Sequence, residues 1–441
     1  MSVKTPVSDF LNDYVKENRV RCHTPGGKGQ IYPHDITEIN GAGSLYESAG
    51  IIAESERIAA GLFGAAKTLY SCSGSTMAIQ AMLALVKTGS NIKKRIAAFR
   101  YAHRSFVSAA ALLDFDIDWI YPDEFMSAKI NPEAVRQIVN PGTAAVFVNS
   151  IDYYGGECDI NATARACGHT GTAGVFKPPL LVDNAHGAYL AFTDKHPIML
   201  GAAMTADSTH KTLPALTGAA YLHINDERFT GNAKAMTALF GTSSPSYLIL
   251  ESLDLCNSYI AEQKEKGRPE AFGFITELKK SLSEAGFPLR ESDLLRITVD
   301  ARACGYTGFG FADKLRKSGK NGVECEYADE NYTVLLFSAI TNKNDIEAVK
   351  AAFYKIPLKK PINKETYPIL RPRRVTSVRE SLFAPDKDCA FLPVKSSVGR
   401  ICAGITAPCP PGVPLVMPGE EIGTEEAETL ERFGVREMRV L

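Results

Sequence analysis

Between residues 50 and 235 short apolar runs alternate with text rich in helix formers, and this pattern limits the available folds more than any other feature of the chain. Arg95 to Phe99, Ala144 to Val148, Leu180 to Val182 and Ala219 to Ile224 are each broken by polar residues at the C-terminal edge. Apolar runs of that length read as strands buried on both faces. Ile51 to Phe63, and Thr76 to Lys87 stopping at Gly89, read as helices. The alternation predicts an α/β fold with a mostly parallel, doubly wound sheet. Ligands in such sheets bind beyond the carboxyl ends of the strands, so the residues after each run are the ones to inspect.

A length of 441 residues allows roughly two to four domains. Residues 1–45 read as an arm in which Phe10, Leu11, Tyr14 and Val15 share one face of a short helix. Residues 46–285 form the large domain. Residues 286–360 carry α+β text, with strands at Leu294 to Val299 and Tyr332 to Ser338 and helices at Gly310 to Lys317 and Asn344 to Phe353. Residues 361–441 form a C-terminal domain containing the rigid turn Pro408-Cys409-Pro410-Pro411-Gly412. The basic stretch 355–379 interleaves lysine and arginine with proline and has no aromatic stacking series, so it reads as a solvated linker rather than a nucleic-acid patch.

Lys plus Arg number 49 and Asp plus Glu 50, for a net charge of -1, which gives no bulk attraction to nucleic acid or anionic lipid. No apolar run approaches the ~20 residues of a membrane span, and the N-terminal text has no apolar signal region. Ten cysteines without a CxxC pair point to reduced thiols. A cytoplasmic protein is expected.

Four of the eight histidines, His23, His103, His186 and His210, fall in polar segments beside the predicted strands. None pairs at the spacing of a zinc helix and no acidic cluster accompanies them, so no metal is expected. Ser71-Cys72-Ser73-Gly74-Ser75-Thr76 precedes the alanine-rich helix. Backbone N–H groups at the positive end of that helix suit a phosphate, although an ordinary N-cap fits equally well. The run lacks the Gly-Lys-[Ser/Thr] ending of a P-loop.

Asp183 ends a buried strand, where a carboxylate needs either a protonated ring nitrogen or a backbone N–H as partner. Lys211 follows 28 positions later, within Ser208-Thr209-His210-Lys211-Thr212-Leu213. Lone lysines are usually surface cations, but one set between hydroxyl residues and apolar text is a candidate Schiff-base lysine. A cradle, an acid and a lysine in this order match the needs of pyridoxal 5'-phosphate: an anchor, a partner for the pyridine nitrogen and an imine-forming amine.

With these residues in view, the chain resembles the Orn/Lys/Arg decarboxylase family of fold-type I pyridoxal-phosphate enzymes. The likeness is carried by His23-Thr24-Pro25-Gly26-Gly27-Lys28-Gly29, Asp35-Ile36-Thr37-Glu38, Ser73-Gly74-Ser75-Thr76, His103-Arg104-Ser105 and Tyr153-Tyr154-Gly155. It continues through Asp183-Asn184-Ala185-His186-Gly187-Ala188, the segment around Lys211, Thr242-Ser243-Ser244-Pro245-Ser246-Tyr247 and Pro410-Pro411-Gly412-Val413-Pro414.

The resemblance implies that Lys211 is the imine lysine, Asp183 the partner of the pyridine nitrogen, His103 the ring-stacking residue and His186 a neighbour of ring or substrate. It assigns Ser73, Gly74, Ser75, Thr76, Ser208 and His210 to holding the cofactor. Thr242 and Ser243 would reach a neighbouring subunit's site, which implies a homodimer or larger assembly with shared sites. The implied reaction is decarboxylation of ornithine, lysine or arginine. Another pyridoxal-phosphate reaction, such as transamination or retro-aldol cleavage, is an alternative on the same scaffold, and a non-catalytic partner subunit is a second. Three departures from the family pattern stand out. They are Arg104 in place of lysine, Cys409 in place of an aromatic, and Ile151-Asp152 in place of Pro-Thr. Among acids near the site, Asp152, Glu157 and Asp159 read as surface charges.

Overall fold

Local sequence sets most element boundaries. The structure, a computed structural model, describes residues 3–89, 94–171, 174–318, 322–407 and 412–441. The predicted helices occur at Ile51–Phe63 and Gly74–Thr88, the first ending on Gly64 in the left-handed conformation and the second on Gly89. The predicted buried strands occur at Arg95–Phe99, Thr143–Asn149, Leu180–Asp183 and Ala220–Ile224. The smaller α+β elements occur at Arg296–Asp300, Gly308–Arg316, Tyr332–Leu336 and Lys343–Phe353.

Two compact units are present. The first comprises Met1–Ile92, Ile160–Glu270 and Ser338–Ile340. Its strands lie in the order Lys67–Ser71, Ala220–Ile224, Met204–Asp207, Leu180–Asp183, with the helix Gly74–Thr88 packed on them. The second comprises Lys93–Asp159, Ala271–Phe337 and Thr341–Leu441. It holds Thr143–Asn149, Arg95–Phe99 and Asp116–Ile120 in that order, all parallel. It also holds a four-stranded antiparallel sheet and the antiparallel pair Ala390–Pro393 with Glu437–Val440. The fold is α/β, with parallel pairs in both units.

Several expectations are corrected. Ala220–Ile224 runs antiparallel to both its neighbours. The connection from Met204–Asp207, residues 208–219, holds only the single helical turn Thr209–Thr212 and not the crossover helix that usually makes a parallel return. The strands that escaped the sequence reading include Lys67–Ser71, Met204–Asp207 and Asp116–Ile120. The last contains two aspartates, which are tolerated because Arg95 on the adjacent strand pairs with Asp118 (Nε to Oδ2, 2.8 Å).

In the arm, the helix Pro6–Lys16 buries Val7, Leu11 and Tyr14 rather than Phe10 and Val15. Its first turn is fixed by Asp254, whose Oδ2 accepts the N–H groups of Val7 and Ser8 at 2.9 Å each. The basic stretch is exposed but not freely solvated. Lys359 lies over the Tyr306 ring (4.4 Å), Arg371 over Tyr121 (4.2 Å), and Lys364 pairs with Asp300 (2.7 Å). Cys22, Cys72, Cys256, Cys304, Cys325, Cys389 and Cys402 are free thiols, and no helix among the described residues is long and apolar enough to cross a membrane.

Candidate active site

Met204–Asp207 is buried along its whole length. After it the chain passes through Ser208 into a single helical turn, Thr209–Thr212, that carries Lys211. The short connection that makes the next strand antiparallel therefore also presents this lysine at a strand end. Lys211 is half-buried, and its Nζ lies 3.2 Å from His186 Nε2.

Asp183 is paired in register with Ala206 on the neighbouring parallel strand. Its Oδ1 accepts the Ala185 N–H at 3.0 Å. Burial pushes the Asp183 carboxyl above its ordinary range, and the Ala185 N–H and the Lys211 charge oppose that push. A buried carboxylate in this condition is suited to a cationic N–H partner.

The residues expected to form the cradle lie at the start of the helix Gly74–Thr88. Ser73 stands at the N-cap of Gly74–Thr88, yet its side chain makes no cap bond, so the ordinary-cap reading is not realised. Ser71 Oγ instead accepts the Ser73 N–H and donates to the Gly74 carbonyl. Gly74 adopts φ +67° and donates its N–H to the Gly218 carbonyl at 2.8 Å. Ser208 Oγ donates to Ser75 Oγ at 2.9 Å, joining hydroxyls 133 positions apart. Thr76 is exposed at the same helix start. Two hydroxyls and a helix N-terminus in one place suit a phosphate group. His210 Nδ1 donates to the Ala219 carbonyl at 2.9 Å, and burial lowers the proton affinity of its ring.

His103 belongs to the second unit. It caps the helix Arg104–Leu112 by accepting the Ser105 N–H, with its Nδ1 2.8 Å from Ser105 Oγ. Gly412 lies against its ring. A Cβ at position 412 would come within 2.7 Å of His103 Nε2, and the Gly412 carbonyl accepts the Arg104 N–H at 2.9 Å. Cys409, Pro410 and Pro411 lie outside the described residues.

Asp152 is not a surface charge. It is buried and accepts the N–H groups of Ala128, Tyr154 and Gly156 at 2.8–2.9 Å. Its carboxylate organises the loop around Ile151-Asp152. Glu157 is partly exposed and Asp159 exposed. Thr242 and Ser243 are exposed, and the Thr242 carbonyl accepts the Tyr46 hydroxyl at 3.0 Å.

Sequence reasoning missed a buried cluster in the first unit, His196, Asp207 and His223. Asp207 comes immediately before the Ser208 to Leu213 segment that carries Lys211. The signal that could have found it is three polar residues inside or beside apolar strand text. Among the described residues these three bring one ligand-type atom each within 4.8 Å of one another.

The Orn/Lys/Arg decarboxylase major-domain model matches residues 5–302, and the C-terminal-domain model of the same family matches residues 379–438. The chain belongs to the Orn/Lys/Arg decarboxylase family. The expected enzyme class, a decarboxylase, stands with it. Members similar to this chain include an uncharacterised protein, YaaO, of Bacillus subtilis, 25% identical over 98% of this chain and 94% of the relative. An arginine decarboxylase of the same organism is 25% identical over 96% and 92%. Among solved structures, the Francisella novicida lysine decarboxylase LdcF superposes with a TM-score of 0.78 at 16% identity, covering 99% of this chain and 81% of that one. That likeness and those to other family decarboxylases fix the fold as fold-type I.

Proposed function

We propose that this family member is a pyridoxal 5'-phosphate-dependent decarboxylase of a basic amino acid, working as a homodimer with shared sites. The observation that carries the reading is the convergence of Lys211, His186, Asp183 and the Ser75–Ser208 hydroxyl pair around two adjacent strand ends. Arginine is the first substrate to test, since curated relatives spanning nearly the whole chain are arginine decarboxylases. Lysine and ornithine follow, lysine being the substrate of the structural neighbours.

The residues present fit the cofactor. Lys211 would hold its aldehyde carbon, Ser73, Gly74, Ser75, Thr76 and Ser208 its phosphate, and Asp183 its ring nitrogen, with His103 against the ring face. When bound, pyridoxal 5'-phosphate supplies an electron sink for the pair released as carbon dioxide leaves. Asp183 keeps a proton on the ring nitrogen, because a buried carboxylate gains most from a cationic N–H partner. Lys211 Nζ and His186 Nε2, 3.2 Å apart, form a proton path suited to returning a proton to Cα. His210 braces the lysine turn through the Ala219 carbonyl. Thr242 and Ser243, exposed in the single chain, reach the partner's site.

Borohydride reduction of the protein loaded with cofactor, followed by peptide mapping, is expected to label Lys211. Lys211→Ala should abolish turnover, and Asp183→Ala should lower it by orders of magnitude. Incubation with arginine, lysine and ornithine should release carbon dioxide and the matching amine. A keto acid or aldehyde product instead would assign a transaminase or lyase, and an unlabelled Lys211 would end the proposal.

A further inference from the structure

The buried cluster in the first unit lies directly behind the proposed cofactor site. Side chains alternate across a strand, so Asp207 points to the face opposite Ala206 and its register partner Asp183. Asn184 follows Asp183, and its Nδ2 donates to Asp207 Oδ2 at 2.8 Å. The Asn184 N–H also donates to the Ala206 carbonyl at 3.0 Å. His196 Nδ1 accepts the Ile198 N–H, which leaves the ring proton on Nε2, and Nε2 donates to the same Asp207 oxygen at 2.9 Å. His223 stands 4.0 Å away, with its Nδ1 2.8 Å from the Thr68 hydroxyl. All three cluster residues are at most 1% exposed.

We infer that Asp207, gripped by His196 and Asn184, is a positioning residue that ties the strand end carrying Asp183 to the strand end leading into Ser208 and Lys211. The two tied residues are the ones adjacent to the site: Asn184 comes immediately after Asp183, and Asp207 immediately before Ser208. A slip of either segment would separate the acid from the lysine turn, and the bonds opposing that slip are out of reach of water. Asp207 also acts through charge. Despite the upward push of burial, the His196 ring and the Asn184 amide hold its carboxyl below the ordinary range. Burial drives the His223 ring down to about 3, so that ring is neutral. The resulting anion raises the proton affinity of Asp183 and favours a cation on the other face of the sheet.

The inference rests on the proposed cofactor, and its test separates the two. Holoenzyme and the variants Asp207→Ala, Asp207→Asn, His196→Gln and His196→Leu are compared for cofactor release into buffer free of it, for the pH midpoint of the visible absorbance, and for metal content. Asp207→Ala is expected to release pyridoxal 5'-phosphate about tenfold faster or more. Asp207→Asn should keep much of the retention while moving the absorbance midpoint to lower pH, because an anion that favours the protonated form is gone. His196→Gln, which keeps an N–H donor, should retain cofactor better than His196→Leu, and this pair decides the matter if Asp207→Ala does not fold. Unchanged release and unchanged midpoint in folded variants would overturn the inference. So would a stoichiometric metal ion lost on His196→Leu, which would make the cluster a metal site. Wild-type protein that never acquires a visible band with the cofactor sinks the proposed function itself.

Discussion

In the first unit, Asp183 rests on a backbone N–H and Asp254 on two backbone N–H groups and the Ser55 hydroxyl, all neutral donors, while Asp207 is held by the His196 ring and the Asn184 amide. Its buried ion pair, Glu56 with Lys234 at 2.6 Å, uses a lysine whose proton affinity burial lowers, while burial raises that of Glu56. The second unit also holds Asp152 on backbone N–H groups, but it clamps two other buried acids with guanidinium groups. Arg100 meets Glu420 through two bonds of 2.6 and 2.9 Å and lies over the Trp119 ring, and Arg296 holds Asp293. Arginine does not deprotonate in proteins, so the cation of each guanidinium pair stays charged, whereas the lysine of the first unit's pair has its proton affinity lowered by burial. The unit carrying the proposed lysine and acid keeps groups whose protonation the environment has moved, as acid–base chemistry requires.

The largest expected effect tests the guanidinium clamp. Arg100→Met should cost about 3–5 kcal/mol, because it strands a buried charge on Glu420, and a second change, Glu420→Gln, should recover most of that loss. Denaturant melts of both variants measure this; a near-neutral single substitution would dissolve the contrast between the units.

Next comes the pH dependence of the first unit. The Asp254 carboxyl is pushed up to about 6 from an ordinary 3.8, chiefly by burial. The folded state thus binds this proton more tightly than the unfolded one. The contribution is full below about pH 4 and is lost as pH rises through 6, a swing on the order of 3 kcal/mol. Asp254→Asn should remove that swing from the difference between urea midpoints at pH 4.5 and 7. An unaltered difference would mean that the neutral-donor arrangement does not govern the unit's response to pH.

Gly412→Ala sharpens the comparison from the other side. Its positive φ of +72° and the 2.7 Å approach to His103 should cost about 1–3 kcal/mol and displace the ring. Turnover should fall severalfold at every pH, whereas loss of a titrating group would alter the shape of the pH profile. The smallest effects are expected on the basic stretch. Lys359→Ala and Arg371→Ala each remove a cation–π contact of about 0.5–1 kcal/mol. Faster proteolytic cutting between residues 355 and 379, with little change in melting temperature, would register it.

Much of the site could be read along the chain because its parts are local: a hydroxyl run before a helix, an acid closing a strand, a lysine in a short connection. What could not be read shares one character. Asp152 looked like surface charge because three backbone N–H groups that solvate it are fixed only when the loop closes. His196 and His223 gave no metal-like spacing and no catalytic motif, since they meet Asp207 from different segments. Strand Asp116–Ile120 was hidden by aspartates whose partner, Arg95, sits on a neighbouring strand.

The sequence by itself determined the α/β alternation, most element boundaries, the family, and the order of cradle, acid and lysine, because propensity, capping and short-range spacing act within a few turns of chain. Only the tertiary structure decided that Ala220–Ile224 runs antiparallel, that Ser75 meets Ser208, that Gly412 presses on His103, and that an anion lies buried behind Asp183. Those facts depend on distances between residues tens to hundreds of positions apart, and such distances are set when strands take their register and water leaves the core.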